Sequence, residues 1–326
     1  MADRARGYGL YPRVGSTGAK NAITDVPGVR VGHTTIRTPP HRHTGVSAVR
    51  IGDVNPNAPL PAGLFAGNGY GKFIGATQIA ELGQIEAPIV LTSTLSAFRA
   101  ADAMVSWMLQ RQDCAQVRSF NPVVGECNDG VLSDIRSRPV SAEHVHAALQ
   151  NAAGGPVPEG GVGAGTGMMA LGFPAGIGTS SRVAALGSTS VTLGVLVLAN
   201  FGGVLRVGGR RVSPPRQLPG PADGSCIVVV VTDSPLDARQ LTRVATRGVF
   251  ALGRVGASYA HGSGDYGLAV STRTGVGAPP EEELSQIFDA TLDATEEAVL
   301  NALVAAEPVS VASGQVPVLR EVLAGE

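Results

Sequence analysis

The sequence predicts a layered α/β fold in which sheets are covered by helices. Three observations lead there. Segments of strand character and segments of helical periodicity alternate, irregularly, along the chain. Several strand segments, such as Val191–Ala199 and Ile227–Val231, are apolar at consecutive positions, so both their faces must be covered. The chain has 326 residues, 44% of them hydrophobic, and no linker divides it into two folds. Residues 1–326 therefore read as a single domain, with the loop 207–222 as the one obvious cut point.

Taken in order, residues 1–20 read as a loose arm. Asn21–Gly28 is turn-rich, and Val29–Thr35 alternates as a strand. Thr38–Thr44 holds Pro39, Pro40, His41 and His43, with His33 upstream; without Asp, Glu or Cys at ligand spacing it reads as a solvated loop and not a metal site. Val46–Asp53 is a strand. Gly67–Lys72 is glycine-rich but lacks the Walker spacing, and a turn into a helix over Ala76–Leu82 accounts for it. Pro88–Thr92 is a strand. Ala97–Gln110 is a helix with Ser96 as N-cap and a stripe of Phe98, Ala101, Val105, Met108 and Leu109, against which Trp107 packs. Pro122–Cys127 is a short strand ending at the turn Asn128-Asp129-Gly130. Ser141 opens a helix to Ala148, with His144 completing an imperfect capping box.

Residues 153–178 are dense in glycine, which means close backbone approach or positive φ. Gly165, Gly167 and Ala170 fit a loose dinucleotide-loop spacing, but no strand runs into them. The hydroxyls of Thr179-Ser180-Ser181-Arg182 read as packing and turn hydrogen bonds. Val191–Ala199 ends at Asn200. Asp237 caps an amphipathic helix to Gly253 carrying Leu241, Val244, Ala245, Gly248, Val249 and Leu252 at helical spacing. His261–Asp265 turns into the strand Tyr266–Thr272. Glu281–Ala306 is a long helix with its acidic residues at the N-terminus and a stripe of Leu284, Ile287, Phe288, Leu292, Val299, Leu300 and Leu303.

Composition excludes several classes. The formal charge is −1 and aromatics are 4%, which disfavours a nucleic-acid partner. No run of 18 apolar residues suits a membrane span, and the N-terminal stretch has no secretory apolar region. Cys114, Cys127 and Cys226 are odd in number with no CxxC, which fits free thiols in a reduced, cytoplasmic setting. Neither a G-x-S-x-G elbow nor H-E-x-x-H occurs.

One junction stands out. Asp223-Gly224-Ser225-Cys226 places a serine where a polar loop meets an apolar β-branched run, Ile227–Asp233. The loop before it, Val207–Ala222, has four prolines, three glycines and three arginines. If the Gly224–Ser225 bond were cut, Ser225 would carry a hydroxyl and a free α-amine. That amine, with an ordinary pKa of roughly 7.7–8.0, can take the hydroxyl proton near neutral pH. By itself the tetrapeptide justifies no more than a turn.

Three further stretches accompany it: Asn21–His33, Gly165–Met168 with Gly176–Arg182, and Gly194–Gly202. Together with Asp223–Asp233, and in this order, they resemble the family of the DmpA-type L-aminopeptidase/D-esterases and β-aminopeptidases, over about Asn21 to Ala305. The resemblance implies an αββα sandwich similar to the N-terminal-nucleophile hydrolases. It implies self-cleavage between Gly224 and Ser225 into an α chain 1–224 and a β chain 225–326, and assembly of αβ units into homo-oligomers. It implies removal of amino-terminal residues from peptides, amides or esters, with no metal or organic cofactor. Ser225 becomes the nucleophile, and Ser263 and Asp265 its supporting pair. Asn200 becomes an oxyanion donor and Glu126 the carboxylate that holds the substrate ammonium. A turn and an ordinary solvated Glu would look the same at the last four positions. Asn128 departs from the family, which often has Tyr there; Asn can donate a hydrogen bond but lacks an aromatic face, which bears on pocket shape and substrate choice. An acyltransferase of the ornithine acetyltransferase type, or an unprocessed non-catalytic homologue, are the alternatives.

Overall fold

The computed structural model describes residues 4–11, 15–215 and 224–324. Asp223 and residues 216–222 of the proline-rich loop lie outside them.

Two sheets stack face to face. The first has the order β1 (Val29–Thr38), β2 (Arg42–Ile51), β6 (Ile89–Ser93), β7 (Val123–Cys127) and β4 (Phe73–Ile74). The second has the order β10 (Gly176–Leu186), β11 (Thr189–Asn200), β14 (Ser225–Thr232), β15 (Gly264–Ser271), β3 (Leu60–Gly69) and β5 (Gln84–Ile85). Helices α2 (Ala97–Leu109) and α3 (Ala142–Gln150) cover the first sheet; α4 (Ala238–Val255) and α5 (Leu284–Ala305) cover the second. Helices α1 (Ala76–Leu82) and α6 (Leu319–Ala324) and the ribbons β8–β9 (Met169–Ala170, Phe173–Pro174), β12–β13 (Leu205–Val207, Arg210–Val212) and β16–β17 (Val309–Val311, Gly314–Val316) lie around this frame. The architecture is an αββα sandwich, with one core between the sheets and one beneath each helical layer.

Strand β14 shows why the consecutive apolar residues are needed. Ile227, Val229 and Val231 enter the inter-sheet core, while Val228 and Val230 enter the core beneath α4 and α5. Every residue of the strand is buried, and each branched side chain contributes about 1.5–3 kcal/mol. The strand is therefore held in register from both faces. Asp237 caps α4 as expected: its Oδ1 accepts from the Gln240 N–H at 2.7 Å. Ser141 and His144 likewise form the expected capping box of α3.

Four expectations are corrected. Residues 4–11 are no loose arm: the Arg6 guanidinium bonds Glu297 of α5 at 2.6 Å, and the Ala5 N–H donates to Asn301 Oδ1 at 3.0 Å. Helix α2 buries Ala97, Ala100, Ala101, Met104, Trp107 and Met108, while Phe98 and Leu109 are exposed. The small alanines let the helix close on the sheet, so its seam is not where the largest side chains stand. The solvated loop contracts to Pro39–His41, because β1 and β2 pair directly from Thr38↔Arg42. His43 is thus buried on a strand, with Nε2 3.0 Å from the Ser310 carbonyl oxygen. Finally, Thr179–Arg182 lies within β10 and not in a turn.

Candidate active site

Strand order brings the chemistry to one place. β11 ends on Asn200 as β14 begins on Ser225, and the two residues are direct antiparallel partners. On the other side, parallel β15 sets Gly264 opposite Ser225. From the facing sheet, β7 delivers Glu126 and then Asn128. The Cys127 thiol, donating to the Ser225 carbonyl at 3.4 Å, ties that strand end to β14.

Two donors surround the Ser225 hydroxyl. The Asn128 backbone N–H lies 3.4 Å from Oγ and the Asn200 Nδ2 3.5 Å. Both are long, as such contacts often are before a substrate tightens them. The orientation of Asn200 is fixed: its Oδ1 accepts from the Met169 N–H at 3.0 Å, and its Nδ2 also donates to the Asn128 carbonyl at 3.1 Å. Its NH2 must therefore face Ser225. The side chain of Asn128 is turned away into a local loop, where Oδ1 accepts from the Gly130 N–H at 2.9 Å. Its contribution is made through the backbone, which any residue supplies. Replacing an aromatic there alters the pocket wall without removing this donor.

The Gly224 carbonyl accepts the Gly264 N–H at 3.1 Å. A Cβ on Gly224 would stand 2.3 Å from the Asn200 carbonyl oxygen, so only glycine fits directly before Ser225.

Ser263 and Asp265 are both buried, and Ser263 Oγ donates to Asp265 Oδ1 at 2.8 Å. The expected link between these two is present; among the described residues no hydrogen bond joins either of them to Ser225. Asp265 Oδ2 is buried with no partner among the described residues. Burial pushes the Asp265 carboxyl up to about 6, against the opposing effect of the Ser263 hydrogen bond. An ionised carboxylate accepts the Ser263 hydroxyl more strongly than the neutral acid does, so any activity that depends on this pair is expected to rise with pH through an apparent pKa near 6. A pH–rate profile of Asp265→Asn should lack that rise. The stability linkage has the opposite sign. The folded chain keeps this proton to about pH 6 while the unfolded carboxyl loses it at 3.8. The contribution to folding is thus full below 3.8 and is lost as pH rises through 6.

Glu126 is 2% exposed, and its Oε1 accepts the Lys72 backbone N–H at 2.7 Å. The Lys72 Nζ stands 3.6 Å from the same oxygen and donates to Thr94 Oγ1 at 2.8 Å. Glu126, Lys72, Asn128, Ser225, His261 and Gly264 help to line one cleft of about 320 Å³. Asp129, buried behind Asn128, accepts from Ser93 Oγ at 2.8 Å and anchors the turn that carries the Asn128 N–H. Burial raises its carboxyl to about 6. Cys226 is fully buried, and its thiol is pushed well above the ordinary range by that burial, so it packs as a small apolar side chain.

Of the residues expected from the sequence, Asn128 and Asn200 stand beside Ser225 and Glu126 lines the same cleft, while Lys72, Gly264 and Asp129 were not expected there. Lys72 closes the glycine-rich Gly67–Lys72 segment. Its lack of a Walker spacing rules out a phosphate loop but not a place beside a carboxylate. Among the described residues no three of His, Cys, Asp and Glu converge as a metal-ligand cluster.

Comparison with known proteins gives a consistent result. The model of peptidase family S58 matches residues 21–316. The chain is 38% identical to a β-peptidyl aminopeptidase of Sphingosinicella microcystinivorans, over 95% of this chain and 88% of that one. Its fold superposes on a β-aminopeptidase of a Burkholderia species with a TM-score of 0.89 at 39% identity, covering 99% of this chain and 97% of the other. It superposes equally on the L-aminopeptidase D-Ala-esterase/amidase of Ochrobactrum anthropi, a serine aminopeptidase with a variant Ntn-hydrolase fold. There the TM-score is 0.88 at 36% identity, covering 99% and 98% of the two chains.

Proposed function

The chain belongs to peptidase family S58, and from that premise we propose that it is a self-processing serine aminopeptidase whose nucleophile is Ser225. The observation that carries this reading is the setting of Ser225: first residue of a strand buried on both faces, with the Asn200 amide and the Asn128 N–H beside its hydroxyl.

Processing comes first. Ser225 Oγ attacks the Gly224 carbonyl carbon, whose oxygen is polarised by the Gly264 N–H. The amide nitrogen takes up the Oγ proton and leaves as the α-amine of Ser225, and an ester forms at Oγ. Water then hydrolyses the ester, releasing chain 1–224 with a new carboxylate. The nucleophile now has its own base. In turnover the α-amine takes the hydroxyl proton and Oγ attacks the substrate carbonyl. The Asn200 Nδ2 and Asn128 N–H donate to the oxyanion. The proton passes to the leaving amine, and water hydrolyses the acyl-enzyme. Ser263, oriented by Asp265, supports the amine of Ser225. Glu126 accepts the substrate ammonium, which restricts the enzyme to free amino termini.

Aminoacyl p-nitroanilides test this directly. A free-amine anilide should be hydrolysed and its N-acetylated form should not; equal hydrolysis of both removes Glu126 from the reading. Glu126→Gln keeps the shape and loses the charge. It is expected to raise KM for free-amine anilides by roughly ten- to a hundredfold. The αβ units are expected to form homo-oligomers, which sedimentation would show. Three buried free cysteines support a reducing, cytoplasmic setting. Among the described residues no helix is long and apolar enough to cross a membrane.

A further inference from the structure

We propose that Lys72 is a specificity-determining residue that selects substrates bearing a carboxylate on, or within a few bonds of, the carbon that carries the ammonium. This rests on the aminopeptidase reading of the same cleft.

Among the described residues that line the cleft, Glu126 is the one carboxylate, and Lys72 and His261 are the basic side chains. Glu126 cannot serve the substrate alone, because Oε1 already accepts the Lys72 N–H at 2.7 Å and has the Lys72 Nζ at 3.6 Å. An ammonium bound to this carboxylate, at a typical charge-assisted distance of about 2.8 Å, places a second cation beside Nζ. Two cations then share one buried anion, and like charges in a partly closed site repel.

Nζ is held where it is. It donates to Thr94 Oγ1 at 2.8 Å, while the Lys72 side chain remains 43% exposed at the cleft. An ammonium group has three donors. Thr94 takes one and Glu126 stands only at ion-pair distance, 3.6 Å, so donors remain for an acceptor coming from the cleft. A carboxylate attached near the substrate ammonium supplies that acceptor and returns the group of charges to balance. A neutral side chain there leaves the excess cation, and a basic one adds a third, so Lys72 also works against lysyl and arginyl termini.

Two kinds of substrate carry the required chemistry. One is an α-linked residue with an acidic side chain, such as aspartyl. The other is a β-linked isoaspartyl residue, whose carboxylate sits on the ammonium-bearing carbon itself.

The test measures kcat/KM for alanyl, aspartyl, isoaspartyl and lysyl p-nitroanilides with the processed wild-type enzyme, Lys72→Met and Lys72→Arg. All three keep the backbone N–H that Glu126 accepts. In the wild type at least one acidic substrate should exceed the lysyl one. Lys72→Met should lower the acidic-to-alanyl ratio by about tenfold, mainly through KM, and Lys72→Arg should preserve most of it. The arm that responds tells aspartyl from isoaspartyl selection. Salt provides a second measurement on the wild type alone: raising KCl to about 0.5 M should narrow the acidic preference, since part of the pairing is exposed. An acidic-to-alanyl ratio unmoved by both Lys72→Met and salt overturns the assignment while leaving the aminopeptidase reading intact. Absence of hydrolysis of every anilide overturns the aminopeptidase reading, and this inference with it.

Discussion

Ser225→Ala is expected to remain a single uncleaved chain and to lose turnover of aminoacyl anilides by roughly 10⁴-fold or more. The substitution removes only Oγ from a 5%-exposed position at the start of β14. The strand should be kept, because its register is set by Ile227–Val231. Both proposed functions depend on that one atom: attack on the Gly224 carbonyl, and attack on the substrate. Losing the first also withholds the α-amine, so the residual rate should not be rescued by raising pH. Gel mobility and steady-state rates, with circular dichroism to confirm the fold, check this. A cleaved or active Ser225→Ala protein would assign the nucleophile elsewhere.

Glu297→Ala should be strongly destabilising, by roughly 3–5 kcal/mol. Glu297 lies in α5 with its side chain 1% exposed, between Arg182 of β10 at 2.8 Å and Arg6 at 2.6 Å. It also accepts from Asn21 Nδ2 at 2.7 Å. Burial works to raise its carboxyl, but Arg6 and Arg182 prevail and hold it below the ordinary value. Removing it strands Arg182, 3% exposed, without its anion. Arg6→Ala should cost less, because that side chain is 20% exposed and can be replaced by water. The depressed carboxyl contributes stability above its unfolded pKa and loses it as pH falls through the folded one. Urea unfolding of both variants at neutral and acid pH measures the difference.

The same network shows which features could be read from the sequence. Strand β14 and helices α4 and α5 announce themselves because their buried faces are built from large apolar residues at regular spacing. Asn200 and Ser225 are legible as strand ends, and the motifs they sit in carry the resemblance. Strand β10 is not legible, since its buried Thr179, Ser180, Ser181 and Arg182 look polar. Their partners are the Val195 carbonyl at 2.6 Å, the Ala294 carbonyl at 2.5 Å, Asp25 at 2.7 Å and Glu297, most of them far away in sequence. The docked residues 4–11 are hidden for the same reason. Strand β3 is obscured by Pro61 and its glycines, yet it pairs along β15. Lys72 could not be placed because its meaning lies in a carboxylate brought next to it by another strand.

On the proposed mechanism Ser225 becomes useful only when its peptide nitrogen becomes an amine. The intact mass of the purified wild-type protein, with the amino-terminal sequence of each component, tests it most directly. The expected result is two polypeptides, residues 1–224 and 225–326, with Ser225 at the amino terminus of the second. A single uncleaved chain that hydrolyses aminoacyl anilides would contradict it.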